Sequence, residues 1–157
     1  MADDATPDGA VDARTETRAL RDALAAEHAA VWGYGVVGAA LGADANGPAP
    51  AAEQAHRDLR DTLAEQLDAR GADPVPAKAA YALPFPVLSA VDAAALAVVL
   101  EDGVAAAWVT VLARSASRDS RQLAAEALGA AEIRAVAWRT AAGQTPVNAP
   151  FPGLPQQ

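Results

Sequence analysis

The chain contains no cysteine, few aromatic residues and no long hydrophobic run. Without cysteine there can be no disulfide framework, no thiolate metal site and no cysteine nucleophile. A metal ion would have to be held by carboxylates and imidazoles, which suit iron, manganese or zinc better than softer ions. Aromatic residues make up 4% of the chain and hydrophobic residues 52%. The core must therefore consist of closely packed small-residue helices with a few large anchors.

The sequence has no segment that predicts a membrane span or a secretory signal. The most apolar run, residues 93–100, ends at Glu101 and Asp102, after far fewer than the roughly 18 to 20 residues that a span needs. The N-terminus is acidic and polar, without the positively charged start of a signal peptide. We therefore expect a cytoplasmic protein that does not bind membranes.

The net charge of the chain is −8. A protein this acidic is poorly suited to bind polyanions, so its charge argues against a phosphate-binding surface and against nucleic acid as a partner. Hydrolase classes are also disfavoured, because the sequence has no Gly-x-Ser-x-Gly elbow, no phosphate-binding loop and no zinc-protease motif.

A chain of 157 residues is long enough for one domain with a single core. We predict a flexible acidic N-terminus over residues 1–11, a four-helix bundle over 12–143, and a Pro-rich tail over 144–157 that packs on the bundle. Apolar periodicity and breaker residues place the helices at about 12–41, 50–70 and 90–113, with the fourth starting between 115 and 119 and ending near 142. The apolar face of the fourth helix is unclear. Either it is buried on more than one side or alanine does much of the packing.

The connection between the second and third helices is long and rich in proline. Residues 71–88 contain too many prolines for a continuous helix. About 18 residues can extend some 55 to 60 Å, whereas a helix of about 20 residues is roughly 30 Å long. We therefore predict an all-α, ferritin-like four-helix bundle in which this segment crosses the bundle lengthwise, so that helices two and three run parallel.

Carboxylates occur where such a bundle would hold metal. Di-metal carboxylate bundles place one glutamate on each of two helices and Glu-x-x-His on each of the other two, all pointing inward. The spacing of three puts carboxylate and imidazole on one helix face, so that both can reach the same ions. In helix order, the matching residues are Glu27, Glu53 with His56, Glu101, and Glu132.

The constellation lacks one ligand. Three residues after Glu132 stands Ala135, where a complete site would have its second histidine. Glu27 and Glu101 lie among apolar residues, and a buried carboxylate must be protonated, paired or ligated. We expect both to be buried, and the sequence leaves open the orientations of Glu53 and Glu132.

A polar network without metal is the alternative to a metal site. Glu27 could accept a hydrogen bond from His56 or His28, and Glu101 could pair with Arg139 or Arg57. The missing histidine favours this network.

Several segments make the chain resemble a known family, namely residues 26–38, 55–57, 79–87, 100–108 and 151–155. In these segments the sequence resembles the alanine-rich ferritin-like family of actinobacteria known as domain of unknown function 4439. The resemblance implies a ferritin-like four-helix bundle in the cytoplasm of a GC-rich bacterium, but it supplies no reaction.

Three functions remain open from the sequence. The first is a ferritin-like bundle of unassigned function, whose degenerate carboxylate-histidine site is structural or binds metal weakly. The second is an oxidoreductase or iron-binding protein with one or two metal ions, iron or manganese. The third is an interaction module, either a homodimer or an adaptor that docks through the Pro-rich segment or the tail. The missing histidine favours the first function, and with it a non-enzymatic protein.

Overall fold

The computed structural model describes residues 8–42 and 47–155. This part of the chain forms four α-helices and no β-strand: α1 (Asp8–Leu41), α2 (Pro48–Ala69), α3 (Ala90–Arg114) and α4 (Arg118–Ala141). The prediction of an all-α chain with four helices is confirmed. However, α1 begins at Asp8 and not near residue 12, so residues 8–11 of the predicted flexible N-terminus are helical. Residues 1–7 of that predicted segment lie outside the described residues.

Caps define where the helices start and stop. At the start of α3, the Ser89 hydroxyl accepts a hydrogen bond from the Asp92 amide (3.1 Å), as in a capping box. The Asp92 carboxylate accepts from the Ser89 hydroxyl (2.9 Å) and from the Leu88 amide (3.1 Å). After α2 and α4 stand Gly71 and Gly143, with φ of 66° and 67°. Glycine adopts this left-handed conformation without a Cβ penalty.

α1 packs against both α2 and α3. Glu16, near the start of α1, contacts Arg70 after the end of α2, with 3.0 Å between the charged atoms. Further along α1, Glu27 contacts His56 in the middle of α2 at 2.7 Å. Later positions in α1 thus meet earlier positions in α2, and the two helices are antiparallel.

α3 packs against α1 and α4. Glu16 accepts hydrogen bonds from the amides of Ala116 and Ser117, which follow α3, while Glu27 accepts one from Trp108 within α3. α3 is therefore antiparallel to α1. Since a turn of only three residues separates α3 from α4, these two helices form a hairpin.

Residues 70–89 connect α2 to α3 without forming a helix. Near the start of this connection, the Asp73 carbonyl accepts a hydrogen bond from Arg21 (3.0 Å). Further on, the Tyr81 ring lies 5.8 Å from the ring of Trp32. The contact point on α1 thus moves along the helix as the connection proceeds.

α4 packs through alanine. Its buried apolar face consists of Ala124, Ala127, Ala131, Ala135 and Trp138. The large residue Ile133 lies outside that stripe and is 75% exposed. Of the two explanations for the unclear face of α4, packing by alanine is the one observed.

α3 is long and apolar enough, by length and composition, to cross a membrane, with a mean hydropathy of 1.8 over 18 residues. The sequence predicts an apolar run too short for a membrane span, but the helix continues beyond Glu101. The core helix of a soluble protein passes the same test, and α3 packs between α1 and α4.

The C-terminal tail contacts α3 and α4. Gly153 lies so close to α3 that an added Cβ would be 2.6 Å from the Ala105 carbonyl oxygen. Arg139 of α4 donates a hydrogen bond to the Val147 carbonyl at 3.2 Å. Within the described residues, the tail therefore rests on the α3–α4 hairpin.

Candidate functional site

All four helices contribute to one polar cluster inside the bundle, which we call the polar core. The side chains at its centre, Glu27 from α1, His56 from α2 and Glu101 from α3, are each 0% exposed. Burial of the two glutamates agrees with the prediction from their apolar surroundings. The complete set of side chains in the polar core is Glu27, Tyr34, His56, Glu101, Trp108 and Arg134.

His56 lies between the two carboxylates. Its Nδ1 is 2.7 Å from Glu27 Oε2 and its Nε2 is 3.2 Å from Glu101 Oε1. A neutral imidazole has one N–H, so donation to both carboxylates requires the protonated ring. Burial alone would lower the pKa of His56, but the hydrogen bonds to Glu101 and Glu27 outweigh it and raise the pKa to about 9. His56 is therefore an imidazolium at neutral pH.

Both oxygens of Glu27 have partners. Oε2 accepts from His56, and Oε1 accepts a hydrogen bond from the indole N–H of Trp108 at 2.8 Å. Trp108 is itself fully buried. The carboxylate thus sits in an apolar interior with its hydrogen-bonding capacity used on each oxygen, as a buried charge requires.

Glu101 receives three donors on a single oxygen. Its Oε1 accepts from the Tyr34 hydroxyl, from Arg134 Nε at 2.8 Å and from His56. Burial raises the pKa of the Glu101 carboxyl, but the hydrogen bonds from His56 and Arg134 outweigh this effect and lower it. Burial and the charge of Glu101 raise the pKa of Tyr34, so the phenol stays protonated and acts as a donor.

Two polar atoms beside this arrangement have no partner. Glu101 Oε2 and Arg134 Nη2 are buried and make no hydrogen bond. Unpaired buried atoms of opposite charge on neighbouring side chains are unusual in a folded protein. They mark the part of the polar core where the hydrogen bonding is incomplete.

Two of the five predicted metal ligands lie outside the polar core. Glu53 pairs with Arg57 one turn later on α2, and a quarter of its side chain is exposed. Glu132 accepts hydrogen bonds from Arg139 at 3.1 Å and from the Ala149 amide at 3.2 Å. In both cases an arginine on the same helix holds the carboxylate at the edge of the bundle.

The three predicted ligands that do come together are not arranged around a common point. Glu27 and Glu101 contact opposite nitrogens of His56, so the imidazole ring stands between the two carboxylates. Over residues 8–42 and 47–155, no three carboxylate or imidazole side chains are placed to share a metal ion.

Sequence reasoning missed the arginine of the polar core. It proposed Arg139 or Arg57 for Glu101, but Arg134 occupies that position. Arg139 instead pairs with Asp102, at 2.5 Å, and with Glu132. Arg134 lies three residues after the buried Ala131 and therefore near the buried face of α4. The sequence contains no usable signal for it, because the alanine stripe that defines this face is obscure in the sequence alone.

The sequence predicts Tyr34 and Trp108 as core anchors, with a redox role for Tyr34 as the less favoured alternative. Both are fully buried, and both also donate hydrogen bonds to carboxylates. Buried tyrosine and tryptophan usually find a partner for their polar atom, so two such residues beside buried glutamates were a usable signal. His28, the alternative partner for Glu27, bonds instead with the Val75 carbonyl at 3.0 Å.

A third buried carboxylate lies near the other end of the bundle. Glu16 is 5% exposed and accepts hydrogen bonds from Ser120 (2.7 Å), Arg70 (3.0 Å) and the Ser117 amide (3.2 Å). Burial raises the pKa of Glu16, but the hydrogen bonds from Ser120 and Ser117 and the charge of Arg70 lower it overall. This carboxylate joins the start of α1 to the end of α2 and to the α3–α4 turn.

Comparison with known proteins identifies relatives but no reaction. A family model described as a domain of unknown function, DUF4439, matches residues 19–156. The crystal structure of a conserved hypothetical protein from Mycobacterium tuberculosis is similar, with 39% sequence identity and a TM-score of 0.80 over 90% of this chain and 99% of the other. No curated protein matches the sequence.

Proposed function

The chain belongs to the DUF4439 family, and we propose that it is a non-enzymatic, ferritin-like four-helix bundle whose buried carboxylates are held by its own cations. In this proposal the polar core stabilises the structure and is not a catalytic metal centre. The observation that carries it is the position of His56, with each ring nitrogen within hydrogen-bonding distance of a different carboxylate.

Charge balance supports the proposal. Two carboxylates, Glu27 and Glu101, meet one imidazolium and one guanidinium, from His56 and Arg134. Opposite charges in equal number reduce the cost of burying each of them. Metal ions supply this positive charge in a di-metal bundle, and here side chains supply it.

We also propose that the topology is ferritin-like, with residues 71–88 as a long crossover. The support comes from the contacts that α1 makes with α2 and with the end of α3. α1 is antiparallel to α2 through Glu16–Arg70 and antiparallel to α3 through Glu16–Ser117. Two helices that are each antiparallel to α1 are parallel to each other, and a connection between parallel helices has to travel the length of the bundle.

Metal analysis tests the proposal directly. Protein purified without chelator, then titrated with Fe²⁺, Mn²⁺ and Zn²⁺ near neutral pH, is expected to hold no stoichiometric metal. A metal ion would have to displace a proton from His56, and protonated imidazole is not a ligand. Two tightly bound iron atoms per chain would overturn the proposal in favour of an oxidoreductase.

Metal binding is the second candidate function, and the unpaired Glu101 Oε2 favours it, because a carboxylate oxygen is a metal ligand. If Arg134 moved away, Glu101 could offer a free oxygen to one ion, iron or manganese, with His56 as a further ligand once it is deprotonated. Glu27, Glu53 and Glu132 would complete the site only after rearrangement, since Arg57 and Arg139 now hold the last two.

The variant Arg134→Gln separates the two candidates. It removes a cation beside Glu101, so a latent metal site should gain affinity for Mn²⁺ by at least about tenfold. The matched control is Arg60→Gln, which removes an arginine on α2 that pairs with Asp61, outside the polar core and outside the proposed ligand set. If neither variant binds metal while Arg134→Gln alone loses stability, the cluster is structural.

The remaining features belong to the same proposal. We infer a cytoplasmic protein without nucleic acid or membrane partners, supported by the net charge of −8.

A homodimer is supported by apolar side chains on the outer side of α3, where Val91 and Val99 are 55% and 43% exposed. Light scattering across a concentration series measures the oligomeric state.

A further inference from the structure

Positive charge is concentrated at one end of this acidic protein. Three arginines, Arg14, Arg18 and Arg21, recur along the first half of α1 at spacings of four and three, so they share one side of the helix. Arg114, at the end of α3, lines one surface groove together with Arg14 and Arg18. Arg70, after α2, lines a second groove that also contains Arg14, Arg18 and Arg21. The total charge of −8 had argued against a phosphate-binding surface, but that total hides this local grouping.

The first of the two grooves lies between α1 and α3. Its cavity volume is about 440 Å³, and Arg14, Arg18 and Arg114 line it together with the threonines at 15 and 110. Asp22 is the one acidic residue among its lining residues. Three guanidinium groups thus face a shared space that contains a single carboxylate.

The fold does not use these arginines. Arg14, Arg18 and Arg114 are exposed and make no hydrogen bond or ion pair with the side chains that the structure describes. Like charges four residues apart destabilise a helix slightly. In contrast, Arg70 and Arg134 are each paired with a buried glutamate.

We propose that the groove between α1 and α3 binds the phosphoryl group of a small soluble molecule, a phosphate ester or a pyrophosphate. Arginine presents a planar fork of donors that matches phosphate oxygens. Three guanidinium groups carry more positive charge than a ligand with one carboxylate could neutralise. A phosphoryl dianion, in contrast, accepts several charge-assisted hydrogen bonds at once. The adjoining groove of about 510 Å³, which shares Arg14 and Arg18, leaves room for the rest of the molecule.

Calorimetric titration with inorganic pyrophosphate tests the proposal. Binding to the full chain is expected at low ionic strength and should weaken as salt is added, because exposed charges are screened. Arg14→Gln/Arg114→Gln should weaken binding by at least about tenfold, the effect expected from losing charge-assisted hydrogen bonds. Circular dichroism checks that this variant keeps its helices, which it should, since both residues are exposed.

The control is Arg57→Gln/Arg60→Gln, which changes the net charge equally but on α2, outside both grooves. It should leave pyrophosphate affinity within about twofold, because long-range charge effects are small at moderate salt. An equal loss of pyrophosphate affinity in both double variants would show that the effect comes from net charge alone. That result would overturn the proposed site.

Two further ligands define the chemistry. Citrate carries comparable negative charge on carboxylates, and vesicles of phosphatidylglycerol carry phosphoryl groups on a membrane. Pyrophosphate should bind more tightly than citrate, and the protein should not sediment with the vesicles. Citrate binding as tight as pyrophosphate, vesicle binding without pyrophosphate binding, or no binding at low ionic strength would each overturn the proposal.

Discussion

The proton on His56 decides whether the polar core is stable. With the ring protonated, each nitrogen donates to a carboxylate and both Glu27 and Glu101 are paired. With the ring neutral, one nitrogen would present a lone pair to a buried carboxylate. Removing one partner of a buried ion pair typically costs about 3 to 5 kcal/mol, so this proton matters to the whole fold.

Stability should therefore fall as the pH rises. The pKa of His56 is raised from 6.5 to about 9 in the folded protein. The folded state binds the proton more tightly than the unfolded chain, so its stabilisation is complete below pH 6.5 and is lost as the pH rises through about 9. The total loss should be roughly 3 kcal/mol, measured as the urea unfolding free energy across this range.

The two histidines of the chain provide a matched pair of variants for this prediction. His56→Gln should be less stable at pH 6.5 and should lose most of the dependence on pH in that window. His28→Gln alters a partly buried histidine that bonds the Val75 carbonyl and should keep the dependence. A wild-type stability that stays constant between pH 6.5 and 9.5 would contradict a protonated His56.

Periodicity could predict some residues of the polar core but not others. Glu27, His56 and Glu101 lie on the inner faces of their helices, so their burial followed from the sequence. Glu53 and Glu132 lie at helix edges, where competition between the core and a neighbouring arginine decides the orientation. Glu53 and Arg57 are four residues apart, a spacing at which opposite charges on a helix attract each other. The partner of Glu101 could not be predicted in this way, because it depends on how far the Arg134 side chain reaches around α4.

At the scale of the elements, the breaker residues predicted the ends of the helices better than the apolar pattern predicted the buried face of α4. Gly71 and Gly143 follow α2 and α4 because only glycine adopts their positive φ without cost. The face of α4 was obscure because alanine is both a core residue and a common surface residue. Its stripe became visible only when Trp138 and the facing helices were in place.

The tail should be held on α3 by Gly153. This residue has φ of 75°, and an added Cβ would be 2.6 Å from the Ala105 carbonyl oxygen, a backbone atom that cannot move aside. Gly153→Ala should lower stability by about 1 to 2 kcal/mol from left-handed strain. It should also displace the tail. Amide exchange at Ala149, which donates to Glu132, reports the displacement.

Gly71→Ala is the control for that prediction. Gly71 also has a positive φ, 66°, but an added Cβ would meet nothing within 4 Å. It should cost a similar amount from strain alone and leave exchange at Ala149 unchanged. If Gly153→Ala left that exchange unchanged as well, the close approach to α3 would not be what holds the tail.

At the scale of the whole molecule, buried polar groups tie together elements that are distant in the sequence. The polar core draws one or more side chains from each of the four helices. The cluster around Glu16 joins the start of α1 to Arg70 and to the α3–α4 turn. Apolar burial alone tolerates sliding between helices, whereas these directional contacts specify one register for the bundle.

The long connection should unfold together with the bundle. Its contacts with α1, at Asp73 and Tyr81, continue at Phe85 and Val87, which pack against the core cluster that contains Tyr34. A segment that shares the core cannot open without exposing it. Small single domains usually unfold in one cooperative transition.

The absence of cysteine makes this prediction simple to measure. Single cysteines at two exposed positions, Ala79→Cys in the connection and Ile133→Cys on α4, can each carry an environment-sensitive fluorophore. Urea unfolding followed by either dye and by circular dichroism should give midpoints that agree within roughly 0.3 M. An earlier transition at position 79 alone would show that the connection is a separate, weaker unit. The helices would then form a bundle without its help, and the contacts with α1 would contribute little to the stability of the fold.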